Sequence, residues 1–253
     1  PICLILSTTL KPNALVKKGQ VLANFDAAPV QQDHAQARAS LAEAEAAARW
    51  LLEKGLVPDR VFFEHLANRR FVAGRFIRTP EQIDYLQEPD IFHDVFGHVP
   101  LLANPVFADY MQAYGEGGLR SMQFGALHKL ARLYWYTVEF GLMQEAEGLR
   151  IYGAGFVSSA TESVFALDDP SPNRLGFDLE RVMRTRYRID TFQKTYFVID
   201  SFEDLLRQTL ETDFAPLYAE LEQLDDIEIA TLLAEDGVIT QGTQAYARSR
   251  TAA

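Results

Sequence analysis

Glu88-Pro89-Asp90-Ile91-Phe92-His93-Asp94-Val95-Phe96-Gly97-His98-Val99-Pro100 sets two histidines five residues apart among apolar neighbours. Imidazole is the commonest protein ligand for iron and zinc. On a regular helix of 3.6 residues per turn the two rings would point about 140° apart. Gly97 and Pro100 both favour a local departure from helix, which would let the second ring turn toward the first. The generic alternative is two unrelated histidines, one capping and one packed. The spacing is not that of H-E-x-x-H, where ligands four apart share one helical face with a glutamate base. Asp94 directly after His93 weakens a zinc-protease reading further.

A third ligand has to come from elsewhere in the chain. Glu139 is the best candidate, a lone carboxylate in the aromatic run Leu133-Tyr134-Trp135-Tyr136-Thr137-Val138-Glu139-Phe140-Gly141. Burying a carboxylate unpaired is very costly, and a divalent cation would compensate it. Ala131, Trp135 and Glu139 share one helical face at spacing four. A salt bridge to a nearby arginine would compensate equally well, and the residues alone leave the two readings even. Two histidines and one carboxylate would make the facial triad of non-haem iron(II) oxygenases, with positions open for dioxygen and water.

Working outward, residues 1–30 read as strands and turns, with a Lys18-Gly19 turn inside Val16-Lys17-Lys18-Gly19-Gln20-Val21-Leu22. Residues 31–53 read as an Ala-rich, charged helix starting near Pro29 or Asp33. From about Gly55 aromatics become dense and helical runs alternate with Pro and Gly breaks. Helices are expected around 61–66, 107–114 and 127–140. In the last, Leu127, Leu130, Tyr134 and Val138 recur at helical spacing before Gly141. Phe197-Val198-Ile199 fits a strand. Residues 202–212 and 214–236 read as acidic helices, and the tail beyond Gly242 as frayed. No internal repeat is present. The expected fold class is mainly α with a few short strands, preceded by a short β-hairpin and helix segment.

With 253 residues the chain suffices for one sizeable domain or two small ones, and 48% hydrophobic residues support a core rather than disorder. The net charge of -11 repels a phosphate backbone or an anionic membrane, so nucleic acid is not an expected partner. Cys3 is the only cysteine, which excludes an intrachain disulfide and a thiolate cluster and suits a reducing cytosol. No stretch approaches the roughly 20 apolar residues of a membrane span. Ile2-Cys3-Leu4-Ile5-Leu6 is short and lacks a basic flank, so it reads as a strand rather than a signal peptide.

From about Gly55 to about Glu211 the chain resembles the catalytic domain of the aromatic amino acid hydroxylases, especially bacterial phenylalanine hydroxylases. The resemblance rests on EPDIFHDVFGHVPLL (88–102), ARLYWYTVEFGL (131–142) and Ile151-Tyr152-Gly153-Ala154-Gly155-Phe156-Val157-Ser158-Ser159. It implies a monooxygenase that converts L-phenylalanine to L-tyrosine with Fe(2+), dioxygen and a tetrahydropterin. One oxygen atom would end on the aromatic ring and the other on the pterin. By the same resemblance His93, His98 and Glu139 are the iron ligands and Arg78 holds the substrate carboxylate by two parallel hydrogen bonds. Pro89, Trp135 and Phe140 would box the substrate ring. Ser158, Ser159 and Glu162 would line the site and orient the ligating histidines. Gly55, Val57, Asp59, Phe62, Asp94, Ala131 and Tyr134 would surround the pterin, with Phe62 stacked on its ring. Ile189, within Tyr187-Arg188-Ile189-Asp190-Thr191-Phe192-Gln193, falls in the region that helps set substrate choice. An aliphatic residue there goes with phenylalanine, an acidic one with tyrosine. Without the resemblance, Arg78 reads as a surface charge and Phe62 and Ile189 as core.

The first 50 residues are similar instead to the periplasmic adaptor (membrane-fusion) subunits of bacterial export pumps, on residues 16–23 and Asp26-Ala27-Ala28. The organisation expected is a non-family segment over 1–50 and a hydroxylase domain over 51–253. That domain would lack the helices that usually precede its Gly55 loop, and no regulatory domain is recognised before it. This pattern fits a fusion or a mis-assembled reading frame. Rival readings are an adaptor with an impaired hydroxylase body, a hydroxylase acting on tryptophan or tyrosine, and another metal enzyme such as a hydrolase. A cytoplasmic monomer is expected.

Overall fold

The computed structural model describes residues 5–8, 23–25, 57–74, 76–82 and 89–246, with backbone alone at 5–8, 23–25, 81 and 158. The chain divides into two units, Pro1–Ala47 and Ala48–Ala253. In the first, β1 (Ile5–Thr8) and β2 (Ala23–Phe25) pair antiparallel, with Ile5 opposite Phe25 and Thr8 opposite Ala23. The turn expected at Lys18-Gly19 and the helix expected over 31–53 lie outside the described residues.

The second unit opens on helices. α1 (Asp59–Ala67) buries Phe63 and Leu66. α2 (Pro105–Ser121) begins on a strong local signal: the Asn104 side chain accepts from the N–H groups of Val106 and Phe107, and Pro105 takes the first position, where no N–H is needed. Its residues Phe107, Tyr110, Met111, Tyr114 and Gly118 are buried at helical spacing. α1 crosses α2 at Gly115, where a Cβ would meet the Ala67 nitrogen at 2.3 Å and the Leu66 carbonyl carbon at 2.7 Å. α3 (Leu127–Tyr134) follows a left-handed Gly125 and runs straight into a wider turn, Trp135–Glu139.

A five-stranded sheet follows, from β3 (Leu142–Glu145), β4 (Gly148–Ile151), β5 (Asn173–Gly176), β6 (Thr195–Ile199) and β7 (Val238–Thr240) in the order β4-β3-β6-β5-β7. β6 is parallel to both β3 and β5, with Leu142 and Gly176 each paired to Val198. Its sequence, Thr-Tyr-Phe-Val-Ile, is buried throughout, as a strand covered on both faces requires. The outer pairs, β3 with β4 and β5 with β7, are antiparallel. α4 (Ala160–Asp168), α5 (Leu179–Arg184), α6 (Phe202–Glu211) and α7 (Phe214–Leu221) complete the unit. One apolar cluster joins α1, α2 and α3 to α5, α6 and α7. A second gathers Phe140, Leu142, Phe156, Phe165, Tyr196 and Val198, and Trp135 borders both. Among the described residues no helix is long and apolar enough to cross a membrane.

The helix expected over 214–236 ends at Leu221. Beyond it Asp226 and Asp236 are counter-ions rather than part of a helix. Asp226 accepts from Lys129 Nζ at 2.7 Å and from both terminal nitrogens of Arg132 at 2.7 Å, tying α3 to the chain after α7. Hydrogen bonds from Arg132, opposed by burial and reinforced by Lys129, hold the Asp226 carboxyl well below the usual range. Asp236 pairs with Arg181 in the same way. Nor is the chain frayed directly after Gly242: the Gly242 N–H donates to Asn173 Oδ1, and Tyr246 packs on Phe165 and Phe192. β3, β4, β5 and β7, only three or four residues long, carry too little pattern for the sequence to announce them.

The α1–α2 crossing is testable. Gly115→Ala should cost about 2–3 kcal/mol or more, because the neighbouring atoms are backbone and cannot turn aside. Gly117→Ala, whose Cβ would meet nothing within 4 Å, should be neutral or gain about 0.5–1 kcal/mol in helix propensity. Urea unfolding of both proteins reads the difference. Equal stabilities would show that the helices are not in contact at Gly115.

Candidate active site

Two π turns bring the ligand candidates together. His93–His98 forms the first, with the Val99 N–H reaching back five residues to the Asp94 carbonyl. Trp135–Glu139 forms the second, closed by the Phe140 N–H on the Trp135 carbonyl at 2.9 Å. In such a turn hydrogen bonds join residues five apart, so His93 and His98 come to the same side. The rings therefore converge through a widened helix rather than through a break at Gly97 or Pro100. Gly97 permits close packing instead. A Cβ there would meet the Ala154 Cβ at 2.9 Å and its carbonyl oxygen at 3.0 Å. Gly153 likewise lies on the Glu139 carbonyl, 2.2 Å from where its Cβ would be. The segment after β4 is thus pressed against both π turns.

His93 Nε2 and His98 Nε2 lie 3.0 Å apart, and Glu139 Oε2 and Oε1 approach them at 3.4 and 3.3 Å. Donors held about 2.1 Å from one cation at right angles are about 3.0 Å from each other, so the separations fit a facial set of ligands. Among the described residues these three side chains form a group that could hold a metal ion. Their charges are coupled. Burial alone would raise the Glu139 carboxyl, yet the charges of and hydrogen bonds to His98 and His93 hold it well below its ordinary value. Burial opposes a proton on His93, but Glu139 outweighs it and raises that pKa. Among the described residues the ion pairs of Glu139 are with His93 and His98 rather than with an arginine. His98 Nδ1 is buried without a hydrogen-bond partner among the described residues.

Asp90 anchors the first π turn. It is fully buried, and its Oδ1 accepts from the His93 N–H at 2.9 Å, three residues on, as an N-cap does. The same carboxylate takes Arg78 through Nε at 2.9 Å, Nη2 at 2.8 Å and the backbone N–H at 2.9 Å. The Arg78 guanidinium also lies over the Phe92 ring at 5.5 Å. Hydrogen bonds from Arg78 lead the effects that hold Asp90 far below the usual carboxylate range, against its burial. Arg78 is therefore a buried, oriented cation rather than a surface charge.

Trp135 and Phe140 meet at 4.9 Å, whereas Pro89 is exposed beside Asp90. Ser159 caps α4, its Oγ accepting from the Glu162 N–H at 3.3 Å, and only the backbone of Ser158 is described. The hydrogen bonds to the Glu162 carboxylate come from Tyr196 Oη at 2.9 Å and the Gln193 N–H at 3.0 Å rather than from a ligating histidine. Ile189 is 46% exposed on the loop between α5 and β6, so it is not ordinary core. On the other side, Phe62 meets Tyr134 edge-on at 6.0 Å and Tyr134 lies 6.1 Å from the His98 ring. Asp59, at the start of α1, and Val57 just before it precede Phe62, and Ala131 sits one turn before Trp135. Asp94, raised by burial, accepts from the Gly74 N–H at 2.6 Å. Gly55 lies outside the described residues. Four further residues contact these candidates without standing out in the sequence: Asp90 on Arg78, Phe71 (4.6 Å from the His98 ring), and Tyr187 and Gln193 on Trp135. Asp90 alone carries a local signal, an acidic residue three before a helical histidine.

Residues 49–221 match the model of the biopterin-dependent aromatic amino acid hydroxylases. The chain is 70% identical over 193 residues to the phenylalanine-4-hydroxylase of Caulobacter vibrioides, covering 76% of this chain and 65% of that protein. It is 67% identical over 190 residues to that of Ralstonia nicotianae, covering 75% and 60%. A crystal structure of phenylalanine hydroxylase from Chromobacterium violaceum bound to cobalt is 62% identical, with a TM-score of 0.71 over 73% of this chain and 66% of that one. The chain thus spans less than two thirds of the length of these relatives. The likeness of residues 1–50 to export-pump adaptors is not borne out.

Glu162 provides a pH test. Burial pushes its carboxyl from 4.5 up to about 7, although Gln193 and Tyr196 pull it down. The folded chain then holds a proton that the unfolded chain releases across that interval. Its contribution to stability is full at lower pH and falls as pH rises toward about 7. Glu162→Gln should remove that fall, altering the stability difference between about pH 5 and pH 8 by about 2–3 kcal/mol. Parallel pH profiles of the two proteins in urea unfolding would contradict it.

Proposed function

Because the chain belongs to the biopterin-dependent aromatic amino acid hydroxylases, we propose that it hydroxylates the ring of L-phenylalanine to L-tyrosine using iron(II), dioxygen and a tetrahydropterin. The observation that carries this reading is the convergence of His93, His98 and Glu139 at 3.0 to 3.4 Å beside the Trp135–Phe140 pair. Relatives named phenylalanine-4-hydroxylase at 62% identity and above support the substrate. Bound iron(II) supplies dioxygen activation, and the pterin supplies two electrons.

The chain's own residues bind, orient and exclude water. Arg78, its plane set by Asp90, receives the amino acid carboxylate. Trp135 and Phe140 confine the ring, with Pro89 at the rim. Phe62 and Tyr134, next to His98, offer the pterin an aromatic face, with Val57, Asp59, Asp94 and Ala131 around it. The burial of both histidines keeps water from the reacting centre. Ile189 presents an aliphatic side chain on the loop that also carries Tyr187, and an apolar wall disfavours an added hydroxyl by roughly a hundredfold. A single cysteine supports a cytosolic setting.

Anaerobic loading with iron(II), then phenylalanine and a tetrahydropterin, tests the reading. One iron per chain and tyrosine formation are expected, and His98→Ala should lose both. Full iron occupancy in His98→Ala would remove the triad.

Arg78→Ala should lower kcat/KM for phenylalanine by about a hundredfold. It should also destabilise the fold by about 3–5 kcal/mol, since Asp90 would be left buried and unpaired. Adding Asp90→Ala should restore part of the stability and none of the phenylalanine turnover. Wild-type kcat/KM in Arg78→Ala would take Arg78 out of the site.

A further inference from the structure

Gln193 lies 4% exposed in the loop between α5 and β6. Its side-chain amide is fixed at both ends. Nε2 donates to the carbonyls of Arg188 at 3.0 Å and Thr191 at 3.4 Å, and Oε1 accepts from the indole Nε1–H of Trp135 at 3.0 Å. Turned over, the amide would set a donor against a donor and an acceptor against two carbonyls, so the network defines its orientation. The backbone is held too. The Gln193 N–H donates to Glu162 Oε1, the oxygen that also accepts from Tyr196 Oη.

Trp135 opens the π turn that ends on Glu139. Its ring stacks on Tyr187 at 4.5 Å and 20°, and Phe140 tilts against it at 4.9 Å and 45°. Those contacts restrict the ring plane but leave rotation within it. An indole has one polar group, its N–H donor. A single well-held acceptor therefore decides that rotation, and Gln193 is that acceptor.

We propose that Gln193 is a positioning residue for substrate, fixing through Trp135 the wall against which the aromatic ring is held. The proposal rests on the reading of Trp135 as a wall of the ring pocket. Gln193 also engages the one polar atom of the indole, so that wall meets the substrate with hydrocarbon alone.

A double-mutant cycle on the full chain loaded with iron(II) tests it. Gln193→Met keeps the length and removes the acceptor. Trp135→Phe keeps an aromatic wall and removes the donor. Gln193→Met should retain one iron per chain while the KM for phenylalanine rises about tenfold, as fits one buried hydrogen bond lost and its donor left unsatisfied. The emission of Trp135, taken as the difference from the Trp135→Phe protein, should shift as well. In the Trp135→Phe background, Gln193→Met should add less than about twofold, because the two substitutions delete the same bond. An unchanged KM in Gln193→Met, or effects that multiply, would overturn the proposal. A Trp135→Phe protein with wild-type KM would overturn the pocket reading along with it, so the two failures are told apart. If Gln193→Met does not hold iron, Gln193→Asn carries the same expectations, since it keeps the amide and draws Oε1 back by one methylene.

Discussion

A carboxylate inside a protein needs a compensating charge or a full set of donors. Glu139 meets this requirement with two imidazoles, each at little more than hydrogen-bond distance. None of the three comes from a loop. Each sits on a turn of helix, and those turns are held from behind by buried ion pairs. Asp90 and Arg78 fix the start of the first turn, and Asp226 with Lys129 and Arg132 fixes the helix that leads into the second. Interior charges of this kind contribute little net stability, but removing one partner is costly. Their effect here is positional: they leave the polar centre few alternative arrangements.

The aromatic residues divide the labour. One cluster joins the helices, the other backs the sheet, and Trp135 stands between them on the same π turn as Glu139. The loop after α5 then supplies both a stacking ring, Tyr187, and a polar acceptor, Gln193. A wall of the proposed pocket is thus defined by residues far away in the sequence, while the candidate metal ligands come from two short stretches.

That difference decides what the sequence makes legible. His93, His98 and Glu139 stand out because ionisable residues inside apolar runs need partners, and the helices expected around 61–66, 107–114 and 127–140 because their apolar spacing is local; they run over 59–67, 105–121 and 127–134, the last passing into the second π turn. The π geometry is not legible: a five-residue spacing between histidines fits a broken helix as readily as a widened one. The cap and counter-ion role of Asp90 depends on Arg78 twelve residues earlier, and that of Gln193 on Trp135. The stretch after Leu221 reads as a continuing acidic helix until the cations that Asp226 and Asp236 neutralise are seen. The strands β3, β4, β5 and β7 are too short for alternation to declare them.

The two π turns also bear on how such a chain can change over time. A π turn is related to an α-helix by one extra residue, which it takes up within a single turn. Deleting one position between His93 and His98 would return the helix to its common form and leave the two imidazoles four residues apart, still on one face. Substitutions at intervening positions such as Val95 and Phe96 leave the count of residues intact. The pairing of the two rings can therefore survive a change in composition and, by this one residue, a change in length.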